Sequence, residues 1–217
     1  IMEKTGASRE PLLLADNDAL EAFAGHLQGQ SSIALDTEAA SYHRYVDRIY
    51  LIQISSESST ALVDPLTVSD FKPVGRLLSD PAVEVVFHDA DYDLRVLDRD
   101  YGFRAKKLFD TRIAAQLLGE PSVGLGALLE KYFGVKVDKK MQRADWSRRP
   151  LTAEMISYAA SDTAYLLDLR DELLENRVPR PVVGDPLVVF VGHALVRVIA
   201  QLHLLLGFLL LEERQRP

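Results

Sequence analysis

Four short apolar runs lie between residues 31 and 88 and restrict this chain more than anything else in it: SSIALDTE (31–38), YLIQIS (50–55), TALVD (60–64) and VEVVFH (83–88). Runs of this length, rich in β-capable residues and bounded by polar turns, read as strands, and SESS joins the second to the third at hairpin-like spacing. Helical patterns surround them. DNDALEAFAGHL (16–27) carries an Asp or Asn cap, VSDFKPVGRLLSD covers about 68–80, and DYDLRVLDRDYG (91–102) ends at Gly102. DTRIAAQLLG (110–119) and LGALLEKYFG (125–134) each close on a glycine, and TAEMISYAASDTAYLLDLRDELLE (152–175) opens with Thr-x-Glu. Strands that come first and then mix with helices predict an α/β fold, a mixed sheet covered by helices.

A length of 217 residues suits one sizeable domain with a modest extension. With no cysteine, disulfides and thiolate metal sites are excluded, and a reducing, cytoplasmic setting is expected. The first residues lack a long apolar core and cleavage pattern, so no signal peptide is expected. The net charge of −7 argues against a protein held on nucleic acid by overall charge. Locally the sign reverses: between Lys131 and Pro150, seven basic residues face only Asp138 and Asp145.

The acids fall into a pattern. Asp36 and Glu38 sit two apart at the end of an apolar strand, which sends both side chains to one face. Asp93 falls in the first turns of a helix, where the helix N-terminus favours negative charge. Tyr158 and Asp162 are one turn apart on the late helix. Four carboxylates from three elements would repel one another if they converged, unless cations lay between them. All-oxygen ligands suit Mg2+ or Mn2+, and a pair of such ions is the recurring device for in-line attack on a phosphodiester. In that arrangement Tyr158 holds, or helps deprotonate, the attacking water. Taken singly each feature has a plainer meaning: Asp-x-Glu as solvated surface, Asp93 as a first-turn acid in competition with Asp89 and Asp91, and Tyr158 as a half-buried aromatic beside a charge.

In combination, LDTEA, VFHDADYDLRVL and YAASD resemble the three motifs of the ribonuclease D-like 3′–5′ exonucleases, the tyrosine-bearing (DEDDy) branch of the DEDD superfamily. LFDTRIAAQLLG and KKMQRADWSRRPLTAEMISYA resemble segments typical of the same family, and the likeness runs from about residue 12 to 175. The histidine-bearing branch would place His at position 157, which here is serine. The resemblance implies a ribonuclease H-like (DnaQ-like) fold, two divalent cations, Mg2+ or Mn2+, and release of nucleoside 5′-monophosphates from a 3′ end. It implies Asp36, Glu38, Asp93 and Asp162 as metal ligands and Tyr158 as the water-positioning residue. Asp89 departs from the small or amide residue often found after the motif-two histidine, and adds negative charge near the site.

Sequence-neutral binding of a single strand needs positive charge and stacking surfaces. Lys139, Lys140, Arg143 and Arg148 are candidate phosphate contacts, Gln142 a neighbour of the terminal nucleotide, and Tyr42 and Tyr45 candidate stacking surfaces. His88 and Trp146 are candidates of the same kind, each with a structural alternative: a strand-end histidine and a core indole. RNA is preferred over DNA as substrate on the likeness of the Gln142–Pro150 stretch. A DNA exonuclease of the Werner or proofreading type and a non-catalytic nucleic-acid-binding module are the alternatives. Residues 1–177 are expected to form the exonuclease domain. Residues 178–217 read as an apolar extension in place of the helical HRDC domains of ribonuclease D, and as a surface for a homodimer or a helper protein. Its terminal charge-free run, Val198 to Leu211, is 14 residues, short of the ~20 of a membrane span.

Overall fold

A computed structural model describes residues 10–39, 48–137 and 139–175. Tyr42, Tyr45 and the 178–217 extension lie outside the described residues, so the expectations attached to them are not addressed by it.

Six strands form one mixed sheet: β1 (Leu12–Leu14), β2 (Ser32–Ala39), β3 (Ile49–Ser55), β4 (Thr60–Val63), β5 (Glu84–Phe87) and β6 (Leu108–Asp110), in the order β1-β4-β3-β2-β5-β6. The β2–β3 and β3–β4 pairs are antiparallel, while β1–β4, β2–β5 and β5–β6 are parallel. Every residue of β3 is buried, as suits a central strand covered on both faces. The four expected strands are all present, and β1 and β6 are additional. Each of those two is a three-residue piece that becomes a strand only by pairing with a neighbour, so it carries no periodic signal of its own.

Alternation along β2 sorts the core. Ile33 and Leu35 point to one face, where α1 (Asn17–His26), α2 (Lys72–Ser79) and α3 (Asp91–Tyr101) cover them. Ala34 points to the other, under α4 (Thr111–Leu117), α5 (Leu125–Phe133) and α7 (Leu166–Glu175). Asp36 and Glu38 continue the face of Ala34 by the period of two. Over that end of the sheet lies α6 (Ala153–Ala164), which crosses β2, β3 and β4 and buries Met155, Ala159 and Thr163 against them. Ser55 of β3 and Thr163 share a hydrogen bond of 2.7 Å that fixes the crossing.

Helix ends follow the sequence signals. Asp16 accepts from Ala19 N, Thr152 accepts from Met155 N, and Gly102 and Gly134 take the left-handed conformation at the ends of α3 and α5. One expectation is corrected: the single helix over 152–175 is two, interrupted at Tyr165, whose N–H bonds Thr163 O, two residues nearer than the partner four residues back in the helical ladder. The break lets α6 lie over the β2–β4 end of the sheet while α7 turns to pack on β2 and β5.

Candidate active site

Strand β2 outruns its parallel neighbour. Pairing with β5 ends at Ala34–Val86, and β5 itself stops at Phe87. The chain then turns at Asp89, which has a left-handed φ of 66°, and enters α3. The turn is held by a residue that sequence reasoning did not single out for this role. The buried carboxylate of Asp110, at the end of β6, accepts from Asp89 N (3.1 Å) and Ala90 N (2.8 Å), and caps α4 through Arg112 N and Ile113 N. The only sequence signal was an Asp-Thr pair at a helix start, which predicts the α4 cap but not its second grip on the α3 entry.

So positioned, the first turn of α3 delivers Asp93 into the gap that β5 leaves beside β2. Asp93 is 5% exposed, and its Oδ1 accepts from Thr37 N (3.1 Å) and Thr37 Oγ1 (2.5 Å). On the adjoining face, Asp36, Glu38 and Asp162 bring carboxylate oxygens to within 4.8 Å of one another. Three of the four acids thus form one tight group, and Asp93, tethered by Thr37, lies near enough for its charge to act on Glu38 and for that of Asp36 to act on it. Tyr158, one turn before Asp162, is hydrogen-bonded to it.

The electrostatics follow from that crowding. Burial, and then the charge of Asp162, push Asp36 up to about 8. Burial, with Asp36, Asp162 and Asp93 adding repulsion, holds Glu38 well above the usual carboxylate range. Asp93 is raised by burial and by Asp36, partly offset by the Thr37 bonds. Burial lifts Asp162 to about 7 against the opposing hydrogen bond from Tyr158. Burial and the surrounding acids also raise the Tyr158 phenol, so it stays protonated and serves as a donor. Such a set of oxygens is unstable as free anions and fits hard divalent cations.

The remaining candidates separate. Trp146, a candidate substrate contact in the sequence, is corrected: it is 1% exposed and lies against Tyr158 with ring centroids 6.1 Å apart, so it supports the phenol and offers no stacking surface. His88 is half-buried, with Nδ1 bonded to Thr111 Oγ1 at 2.9 Å, and the Thr111 hydroxyl donates in turn to Phe87 O. Through this one ring nitrogen it braces the strand end. Lys140, Gln142 and Arg143 are exposed on a 3-10 helix over Lys139–Arg143, whose Met141 packs beneath α6. Arg149 anchors this segment by a bidentate bond to Asp64 (2.6 and 2.7 Å) and bonds to Tyr50 O and Trp146 O. Asp89 has its charge paired by Arg112 at 2.7 Å, outside the cluster.

The comparisons with known proteins agree with this arrangement. Residues 13–177 match the family model described as 3′–5′ exonuclease. Ribonuclease D of Cronobacter turicensis is 36% identical over 165 residues, covering 76% of this chain and 45% of that protein. Exosome complex component 10 of Mus musculus is 40% identical over 175 residues, covering 78% of this chain and 20% of the relative. Among solved structures, Escherichia coli RNase D superposes with a TM-score of 0.74 at 31% identity, over 89% of this chain and 51% of that one. The catalytic core of RRP6 from Trypanosoma brucei gives 0.77 at 33% identity, over 88% and 51%. The mixed sheet and its helices are thus the ribonuclease H-like exonuclease fold. The chain spans less than half the length of these curated relatives. Among the described residues, no helix is long and apolar enough to cross a membrane.

Proposed function

The chain belongs to the 3′–5′ exonuclease family, in its ribonuclease D-like, tyrosine-bearing branch, and we propose that it removes nucleoside 5′-monophosphates one at a time from the 3′ end of single-stranded RNA. The observation that carries this reading is the group of Asp36, Glu38 and Asp162 oxygens within 4.8 Å, with Tyr158 bonded to the last of them. Asp36, Glu38, Asp93 and Asp162 would hold two divalent cations, Mg2+ or Mn2+. When bound, these supply activation of water and charge stabilisation at the scissile phosphate.

The protein's own residues do the rest. The Tyr158 phenol, kept protonated and oriented by Asp162, bonds the attacking water and aims it at phosphorus opposite the leaving 3′ oxygen. Trp146 packs against the Tyr158 ring. The P–O3′ bond breaks, the water oxygen becomes part of the released 5′-phosphate, and the 3′ oxygen leaves as the hydroxyl of the shortened strand. Thr37 favours the ionised form of Asp93 against the effect of burial and fixes its carboxylate by donating twice to one of its oxygens. Lys139, Lys140 and Arg143 are suited to phosphates of the incoming strand and Gln142 to its terminal nucleotide, since all four share the 3-10 helix beside α6. RNA is supported by the names of the relatives, among them an exoribonuclease involved in structured RNA processing. A cytoplasmic setting is supported by the absence of cysteine.

The test is degradation of 5′-labelled single-stranded RNA and matching DNA with Mn2+, with Asp36→Ala as control. A ladder on RNA, faster than on DNA and abolished by EDTA and by the substitution, is expected. A ladder on DNA alone would assign the chain to the DNA-directed exonucleases. Tight binding that survives EDTA, without any ladder, would make it a binding module.

A further inference from the structure

Gln53 stands in the middle of β3, paired with Asp36 of β2 on one side and with Leu62 of β4 on the other, so the three share one face of the sheet. Residues so paired have Cβ atoms about 4.5–5.5 Å apart, within reach for an amide and a carboxylate. The side chain is fully buried, and neither Nε2 nor Oε1 has a hydrogen-bond partner. Its neighbours offer no substitute. Leu51 and Leu62 are apolar, Ala159 covers the row from α6, and the Ser55 hydroxyl is engaged with Thr60 and Thr163. An orphaned amide in such a place is costly, and an apolar side chain of similar length would be more stable.

We propose that Gln53 is a positioning residue whose amide N–H bonds the Asp36 carboxylate when divalent cations occupy the site, fixing which oxygen Asp36 turns to the ions. The inference rests on the cation-binding reading above. An amide is the side chain suited to the task. It donates without adding charge, whereas Lys or Arg would compete with the cations for Asp36 and an acid would add to the repulsion. Groups that orient a ligating carboxylate in this way are typically worth about 10- to 100-fold in metal affinity.

The proposal predicts opposite effects on the metal-free and metal-loaded protein. Gln53→Met, with Gln53→Leu as a second replacement, is compared with the parent by thermal melting in EDTA and across a Mn2+ titration. Quenching of the single tryptophan, Trp146, which lies against Tyr158, follows the same titration. In EDTA the variants should melt at or above the parent temperature, and half-saturation by Mn2+ should rise about 10- to 100-fold. A parent-like Mn2+ titration overturns the proposal while leaving the nuclease reading intact. Melting of both variants several degrees below the parent in EDTA, or failure of both to fold, also overturns it, because the amide would then serve the fold without cations. A parent that neither shifts nor quenches with Mn2+ removes the cation-binding reading and this inference together.

Discussion

Thr37 donates to Asp93 twice, through its amide and its hydroxyl, and both bonds fall on the same oxygen, Oδ1. The two residues are 56 positions apart and meet because β5 ends before β2 does. Thr37→Val keeps the shape and the amide bond and removes the hydroxyl. Loss of a hydrogen bond to a buried carboxylate should destabilise the fold by about 1.5–3 kcal/mol. It should also raise the Mn2+ concentration needed for half-maximal exonuclease activity by about tenfold. Denaturant unfolding and a metal titration of the rate check the two effects separately.

The acid cluster makes stability depend on pH in a direction opposite to that of a salt-bridged carboxylate. Asp36 and Asp162 sit at about 8 and about 7 in the folded chain against 3.8 for each as model groups. Between about pH 4 and pH 8 the folded chain therefore holds protons that the unfolded chain has released. Their contribution to stability is complete below the unfolded value and is lost as pH rises through the folded ones. In EDTA the melting temperature should fall from about pH 5 to about pH 8, and Mn2+ should restore it, most strongly at the upper end. A melting temperature in EDTA that rises over this range would contradict the gathered acids.

Tyr158→Phe isolates the phenolic hydroxyl. The ring stays packed on Trp146 and the cluster loses no charge, so melting temperature and Mn2+ binding should stay close to those of the parent. In the proposed reaction the rate constant for nucleotide release should fall about 100- to 1,000-fold. Single-turnover degradation of a labelled strand measures it, and a rate within a fewfold of the parent would remove Tyr158 from the chemistry.

Arg149 is a staple between the basic segment and the sheet, and its planar fork matches Asp64 in a way that an ammonium cannot. Asp64 feels a burial penalty that raises it, but the Arg149 bonds outweigh this and hold it below the usual carboxylate range. Arg149→Lys should cost about 2–3 kcal/mol in unfolding free energy. It should also loosen the 3-10 helix, read as a higher KM for RNA with a smaller change in kcat. Equal loss in both parameters would place Arg149 closer to the reaction than its bonds to Asp64, Tyr50 and Trp146 imply.

Local spacing was enough to place several of the candidate residues side by side. A period of two puts Asp36 and Glu38 on one face of β2, and a separation of four puts Tyr158 beside Asp162 on α6, because each relation is set within one regular element. The helix caps at Asp16 and Thr152 and the glycine stops at Gly102 and Gly134 were legible for the same reason. Which element lies opposite which is decided by packing between distant segments. Only the tertiary structure shows Leu12–Leu14 and Leu108–Asp110 as strands, the Asp110 grip on the start of α3, the burial of Trp146, and the gap beside β2 that admits Asp93. These depend on where β5 stops relative to β2 and on how α6 crosses the sheet, and burial and hydrogen bonding across the whole fold settle such offsets, since no repeat along the chain encodes them.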